Sequence, residues 1–445
     1  MVSTLPMSLR PGRRPASWPY HLVLLALGLL AVGTAASAAQ PAAPTAGTSW
    51  WLHLRSAAYF YQTDRIASEA QDHVRAYQTF SGSASGLAEG RVTLRASGRL
   101  ADDLRFDGYP YENARCYVGH AEIRIAPRVR ARVGRQFLQE GVAGLTLDGL
   151  WLALRPDRRW DLNVWGGARA PYGLDVKPGS LSDASVFGGR IGMVVSPGLR
   201  VAVSGYSRER DGAVAERPLG VDATYAAARN VRVVGRAAYD LELEDWSRLE
   251  ALTRWAPAPD LPVFTLQLID RRPSIDAVSY FARFAEMKRI RLARAVARYE
   301  TSDRFGGELE FTGSFVDERS SRRLGAALLL PDLRVGYSLR LGDAGEESCF
   351  YGDVSRRVLP WLWVGGQASL VTYALFEDAP ADQERELTTL ACRLRAELRP
   401  GLQLLAEVQS VENPFYAEDV RFLLGLNLSM ARGITRFGLD RGGWL

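Results

Sequence analysis

From about residue 50 to residue 429 the chain repeats one pattern, in which apolar and polar residues alternate one by one. Arg91-Val92-Thr93-Leu94-Arg95-Ala96-Ser97, His120-Ala121-Glu122-Ile123-Arg124-Ile125 and Val129-Arg130-Ala131-Arg132-Val133 show it early; Leu333–Leu341 and Leu390–Leu398 show it late. Successive side chains on a strand point to opposite faces, so each segment has one greasy face and one wet face. Many segments are longer than the five or six residues usual in soluble sandwiches and approach the roughly 9–11 with which a tilted strand crosses a bilayer. The wet face carries arginine again and again, which suits a water-filled interior. The expectation is an all-β chain: a transmembrane, antiparallel, up-and-down β-barrel of about 18–22 strands, its apolar side to lipid and its polar side to the lumen.

Connections support this independently, because such barrels alternate short turns at one end with longer loops at the other. Tight turns read at Ala126–Arg128, Pro156–Arg158, Ser196–Gly198, Ala228–Asn230, Pro257–Asp260, Pro331-Asp332, Val358–Pro360 and Arg399–Gly401. Most hold Pro, Gly, Asp or Asn, as turn chemistry requires. Longer polar stretches lie between them: Leu138–Gly144, Ala168–Asp183, Glu209–Ala215, Gly342–Ser348, Glu377–Glu384 and Val411–Glu418. Two places are ambiguous. Leu87–Tyr109 reads as one long strand or as a hairpin through Ser97–Asp102. In Arg271–Lys288, the near-helical spacing of Ile275, Val278, Phe281 and Ala285 reads as a loop helix or as an extra strand.

The 445 residues are 47% hydrophobic and 24% charged, which excludes disorder. No apolar run reaches the about 20 residues of a spanning helix. Basic residues number 55 against 50 acidic, for a formal net charge of +5, yet Lys177 and Lys288 are the only lysines. Residues 1–38 carry Arg10, Arg13 and Arg14 and no acid, leaving 5 − 3 = +2 for the remainder. With no basic block, nucleic acid is not an expected partner. Those three arginines, the apolar run Leu22–Val32 and the small residues Ala36-Ser37-Ala38 read as a secretory signal peptide over residues 1–38. Residues 39–49 then form a short periplasmic spacer and residues 50–445 the barrel, with no room for an N-terminal plug. Cys116, Cys349 and Cys392 are too few for a disulfide framework and read as buried or lipid-facing small residues.

If alternation sets the facing, the luminal basic set is Arg91, Arg95, Arg124, Arg130, Arg132, Arg200, Arg232, Arg236, Arg248, Arg254, Arg334, Arg340, Arg393, Arg395 and Arg421. The luminal acids are Glu122, Asp161, Asp222, Glu250, Glu308, Glu310, Glu397 and Glu407. Guanidinium stays charged at any relevant pH and binds carboxylate or phosphate bidentately, so this excess of arginine favours anions. Cross-strand Arg–Glu ladders also fill lumens without conferring selectivity, and that reading stays open.

Gly134-Arg135-Gln136-Phe137, followed by Leu147-Asp148-Gly149, is a strand–loop–strand unit. It resembles the GRQ…LDG hairpin of alginate-export-type barrels, and the strand rhythm of Trp50–Met430 resembles outer-membrane porins. The resemblance implies passive conduction of small solutes or of an anionic polysaccharide, without catalysis. It also implies residence in a Gram-negative outer membrane among lipid and lipopolysaccharide, insertion by the barrel-assembly machinery, and an open question of homo-oligomerisation. Arg135 and Asp148 are expected to pair across the two strands as a salt bridge that holds the hairpin without touching solute.

Trp50, Trp51, Tyr59, Tyr61, Trp151, Trp160, Tyr225, Tyr239, Trp255, Trp361 and Trp363 gather toward strand ends, as in interfacial girdles, while Trp165 and Tyr206 read as candidates for sugar stacking in the lumen. No phosphate loop ends in Gly-Lys, no HExxH occurs, and His21, His53, His73 and His120 lack metal spacing, so neither cofactor nor metal is expected. The rival readings are an export gate for an anionic polymer, a non-conducting structural or adhesive barrel, and a lipid-hydrolysing enzyme. After its last clear strand, Val420–Leu428, the chain runs on to Trp444-Leu445. Either Ile434–Leu439 adds a strand, or the assembly signal is internal or atypical.

Overall fold

The computed structural model describes residues 47–63, 71–105, 114–171, 173–273, 288–302, 305–343, 345–374, 385–413 and 416–432. The unit considered is Thr48–Leu445; the expected signal peptide and Ile434–Leu439 lie outside the described residues.

The alternating segments form one antiparallel sheet of 23 strands in which each, with one exception, pairs with its sequence neighbours. The last strand, Tyr416–Arg432, pairs with the first, Ser49–Thr63, from Trp50↔Arg432 to Phe60↔Phe422, so the sheet closes on itself. Closure leaves no unpaired edge, the condition for a sheet to stand in hydrocarbon. Ala213–Glu216 and Pro218–Ala228 both pair with Leu199–Arg210, one at each end of it. They share one stave, broken where the register shifts and where Pro218 has no N–H to donate. The 23 strands therefore make 22 staves.

Short turns such as Pro127-Arg128, Pro197-Gly198, Arg229-Asn230 and Pro400-Gly401 all fall at one end of the barrel, together with the start of the first strand at Ser49 and the end of the last at Arg432. The long connections, 104–113, 170–183, 272–289 and 375–384, fall at the other. Leu87–Tyr109 resolves into a tight turn, Leu87–Gly90, with Ala88 and Glu89 in left-handed conformation, followed by one strand, Val92–Asp103. Residues 274–287 lie outside the described residues, but the strands flanking them pair directly at Arg271↔Ile290, so no stave is missing there.

Along nearly every strand the apolar residues are the exposed ones: Leu309 is 63% exposed, and Ile125, Phe187 and Ile191 are similar. On a soluble protein so much bare apolar surface would drive association. On a closed barrel it is the face that hydrocarbon covers, and the wall spans a membrane. Trp50, Trp160, Tyr225, Trp255 and Trp361 stand exposed at the short-turn end as an interfacial girdle. Tyr239 stands on the outer face at the other end, its ring against that of exposed Trp246. The rest of the expected girdle is corrected by parity. Trp51, Tyr59, Tyr61, Trp151 and Trp363 alternate with outward residues and face the lumen. Cys116, Cys349 and Cys392 are all free.

Candidate functional site

The pleat that turns leucine and phenylalanine outward turns the expected charged set inward. Arg95, Glu122, Arg124, Arg130 and Arg132 occupy adjoining positions on three strands, through the pairs Arg95↔His120, Glu122↔Arg132 and Arg124↔Arg130. Glu122 accepts a hydrogen bond from Arg132 at 2.9 Å and lies 3.8 Å from Arg130. The same grouping recurs. Glu250 lies between Arg248 and Arg236, and Glu308 between Arg334 at 3.0 Å and Arg298 at 3.7 Å. Glu310 is paired with Arg294 at 2.7 Å, Glu347 with Arg340 at 3.1 Å, and Glu407 with Arg393 at 2.9 Å. In the Glu122 and Glu250 groups one carboxylate is shared by two arginines, so each retains a positive charge; in the Glu308 group Arg298 also pairs with Glu300, and the charges balance.

Arg91, Arg124, Arg200, Arg232, Arg254 and Arg395, like Arg95, have no carboxylate within 4.0 Å among the described residues. Arg395 lies over the Trp363 ring at 4.3 Å, a cation–π contact that holds it against the wall. Arg421 pairs with Asp419 near the long-loop end. Arg294 and Arg298 were not legible as luminal. Their strand, Ile290–Ser302, turns Ala293, Ala295 and Ala297 to the outside, and alanine gives too little contrast for the alternation to show.

One hairpin leaves the wall. Val129–Glu140 and Ala143–Leu154 are joined by Gly141 and Val142, and this tip crosses the luminal face of the next strands. The Val142 amide donates to Ser204 Oγ at 3.0 Å, 62 residues away, and Asn163 Nδ2 donates to Glu140 at 3.1 Å. Beneath the tip Leu138, Leu147, Trp151, Trp165, Val186 and Tyr206 form the buried core of the barrel. Trp165 and Tyr206 are therefore not available for sugar stacking, because the hairpin covers them to 4% and 8% exposure. Beside the tip the charge balance inverts: Arg190 alone serves Asp161 at 2.7 Å and Asp222 at 3.2 Å. Ser204→Ala removes the only side-chain acceptor holding the Val142 amide, and the tip should move more; single-channel records should show increased open-state noise with the mean conductance little changed.

A row of glycines lets the wall bend at the base of this hairpin. Gly134, Gly149 and Gly167 stand in register on three strands, on the luminal parity. A Cβ at Gly149 would lie 2.2 Å from the Gly166 carbonyl oxygen, and one at Gly134 2.2 Å from that of Gly119. Backbones this close form a crease that no other residue permits.

Arg135 and Asp148 lie one residue from the crease and hence on the opposite, outer face, in line with exposed Val133 and Leu150. They pair in two parallel bonds of 2.6 and 2.7 Å. The connection that follows Trp160–Arg169 folds down outside the wall as a strap. Leu174, Asp175 and Lys177 turn their carbonyls to the Arg135 guanidinium, which also donates to the Cys116 carbonyl at 3.1 Å. The Gly179 amide donates to Asp148 at 2.7 Å. Val176 and Leu181 of the strap face outward where wall residues would otherwise stand.

No protein-family profile and no curated protein sequence matches the chain. Solved structures do resemble it in shape. OccAB4 of Acinetobacter baumannii shares 10% identity, with 88% of this chain and 100% of that chain covered and a TM-score of 0.42. OpdO of Pseudomonas aeruginosa shares 14%, with 86% and 97% covered and a TM-score of 0.43. The translocation pore of the P pilus usher PapC shares 10%, with 85% and 99% covered and a TM-score of 0.47.

Proposed function

We propose that this outer-membrane barrel is a passive channel for small solutes and that it prefers anions. The observation that carries the reading is the unequal sharing of luminal charge: Glu122 and Glu250 are each flanked by two arginines, while Arg95, Arg124, Arg232 and Arg395 have no carboxylate partner among the described residues. A water-filled pore so lined lowers the electrostatic barrier for anions and raises it for cations. The two-residue turns then mark the periplasmic end and the long connections the outer surface. Lipid and lipopolysaccharide would cover the apolar wall, and the barrel-assembly machinery would insert it. Export of an anionic polysaccharide is the second reading, favoured by the same arginines, and would need a passage wide enough beside the inward hairpin.

The test is a salt gradient across a planar bilayer holding the refolded protein. The reversal potential should fall on the anion side, with a chloride-to-potassium permeability ratio of about 2 or more. A cation-side potential would refute the preference, and a protein that assembles yet carries no current would refute the channel.

A further inference from the structure

The hairpin that enters the lumen is anchored both from within and from without. Inside, its tip is held by the hydrogen bonds from Val142 to Ser204 and from Asn163 to Glu140, and its Leu138 and Leu147 are buried against Trp165, Val186 and Tyr206. Outside, the guanidinium of Arg135, on the same hairpin, reaches both Asp148 oxygens and four carbonyls, and is 5% exposed on a face that otherwise meets lipid. A charge in that position has no water to fall back on, so breaking any part of the arrangement leaves a desolvated ion. The crease at Gly134, Gly149 and Gly167 lies one residue away, at the base of the hairpin, so that the Arg135–Asp148 pair sits on the arm just beyond it toward the tip.

We infer that Arg135 and Asp148, which touch no solute, are the positioning pair that sets the width of the pore. The strap from Gly173 to Asp183 clasps the outer side of the hairpin beside the crease, and the tip keeps its place in the lumen only while both that clasp and the buried packing hold. The inference rests on the channel reading above.

In Arg135→Ala the strap loses its hydrogen-bonding centre and the hairpin can straighten toward the wall. Single-channel conductance should rise about twofold or more, and Arg135→Lys, which keeps the charge but not the planar fork, should fall between the two. A tether separates this effect from general loosening. With Cys116, Cys349 and Cys392 changed to alanine, Val142→Cys and Ser204→Cys are added to Arg135→Ala. Oxidation should return the conductance to the wild-type value and reduction should raise it again.

Wild-type conductance in a correctly assembled Arg135→Ala, or a rise that oxidation does not reverse, would overturn the inference. If Arg135→Ala does not assemble, Asp148→Asn is read in the same way, since it removes the charge pair while keeping shape and the Gly179 contact. A wild-type protein that carries no current would instead condemn the channel reading itself, so the two failures are told apart.

Discussion

Gly149→Val should abolish assembly of the barrel. A β-carbon at this position would lie 2.2 Å from the Gly166 carbonyl oxygen and 2.8 Å from Gly167 Cα, both of them backbone atoms of the paired strand. A crowding side chain can turn away, but a strand can move only by giving up its ladder. Overpacking usually costs about 1–3 kcal/mol, and a clash with backbone on a paired strand belongs at or above the upper end. Valine also adds two methyl groups to a position that faces the inside of the crease. The measurement is the fraction of refolded protein that runs as the compact, heat-modifiable form on a denaturing gel. Gly235→Val is the control: nothing stands within 4 Å of its β-carbon, and it lies on the outer face, in register with Ala251. It should assemble as the wild type does. Equal assembly of the two variants would show that the wall is not creased at Gly149.

Changing Arg95, Arg124, Arg232 and Arg395 to glutamine together should bring the chloride-to-potassium permeability ratio to about 1. These four arginines have no carboxylate partner within 4.0 Å among the described residues, so their loss removes luminal charge without leaving an acid uncompensated. The contrasting variant is Arg294→Gln with Glu310→Gln. It removes a pair in direct contact at 2.7 Å and changes the net charge of the lumen by nothing. The ratio should stay at the wild-type value in that variant. If the quadruple variant keeps full selectivity, permeating ions are sorted elsewhere, and the arrangement around Arg190, Asp161 and Asp222 at the hairpin tip becomes the place to look.

Both experiments separate what was legible in the sequence from what was not. Strand rhythm, turn positions and the inward facing of residues such as Arg130, Glu122, Arg334 and Glu308 follow from a period of two, because the pleat leaves no freedom about which side a residue takes once its neighbour is fixed. The placement of Arg135 could be worked out in the same way, yet a lipid-facing arginine is physically unreasonable on sequence grounds alone. It becomes reasonable only because the backbone of Leu174, Asp175 and Lys177 arrives to solvate it. The aromatic residues misled for a related reason. Trp151 and Trp363 sit near strand ends as girdle residues do, but their parity turns them inward, where Arg132 and Arg395 stack on them.

The amino-acid sequence by itself determined that the chain forms a barrel wall whose strands each carry a greasy face and a polar face, since alternation is a local property and each strand carries it alone. Only the tertiary structure decided that one hairpin bends into the lumen, that Trp165 and Tyr206 are sealed beneath it, and that a strap locks the bend from the outer face. Those outcomes depend on contacts between residues such as Val142 and Ser204, 62 positions apart. No periodicity encodes such a meeting; it occurs because the closed wall brings the two to the same side of the same pore.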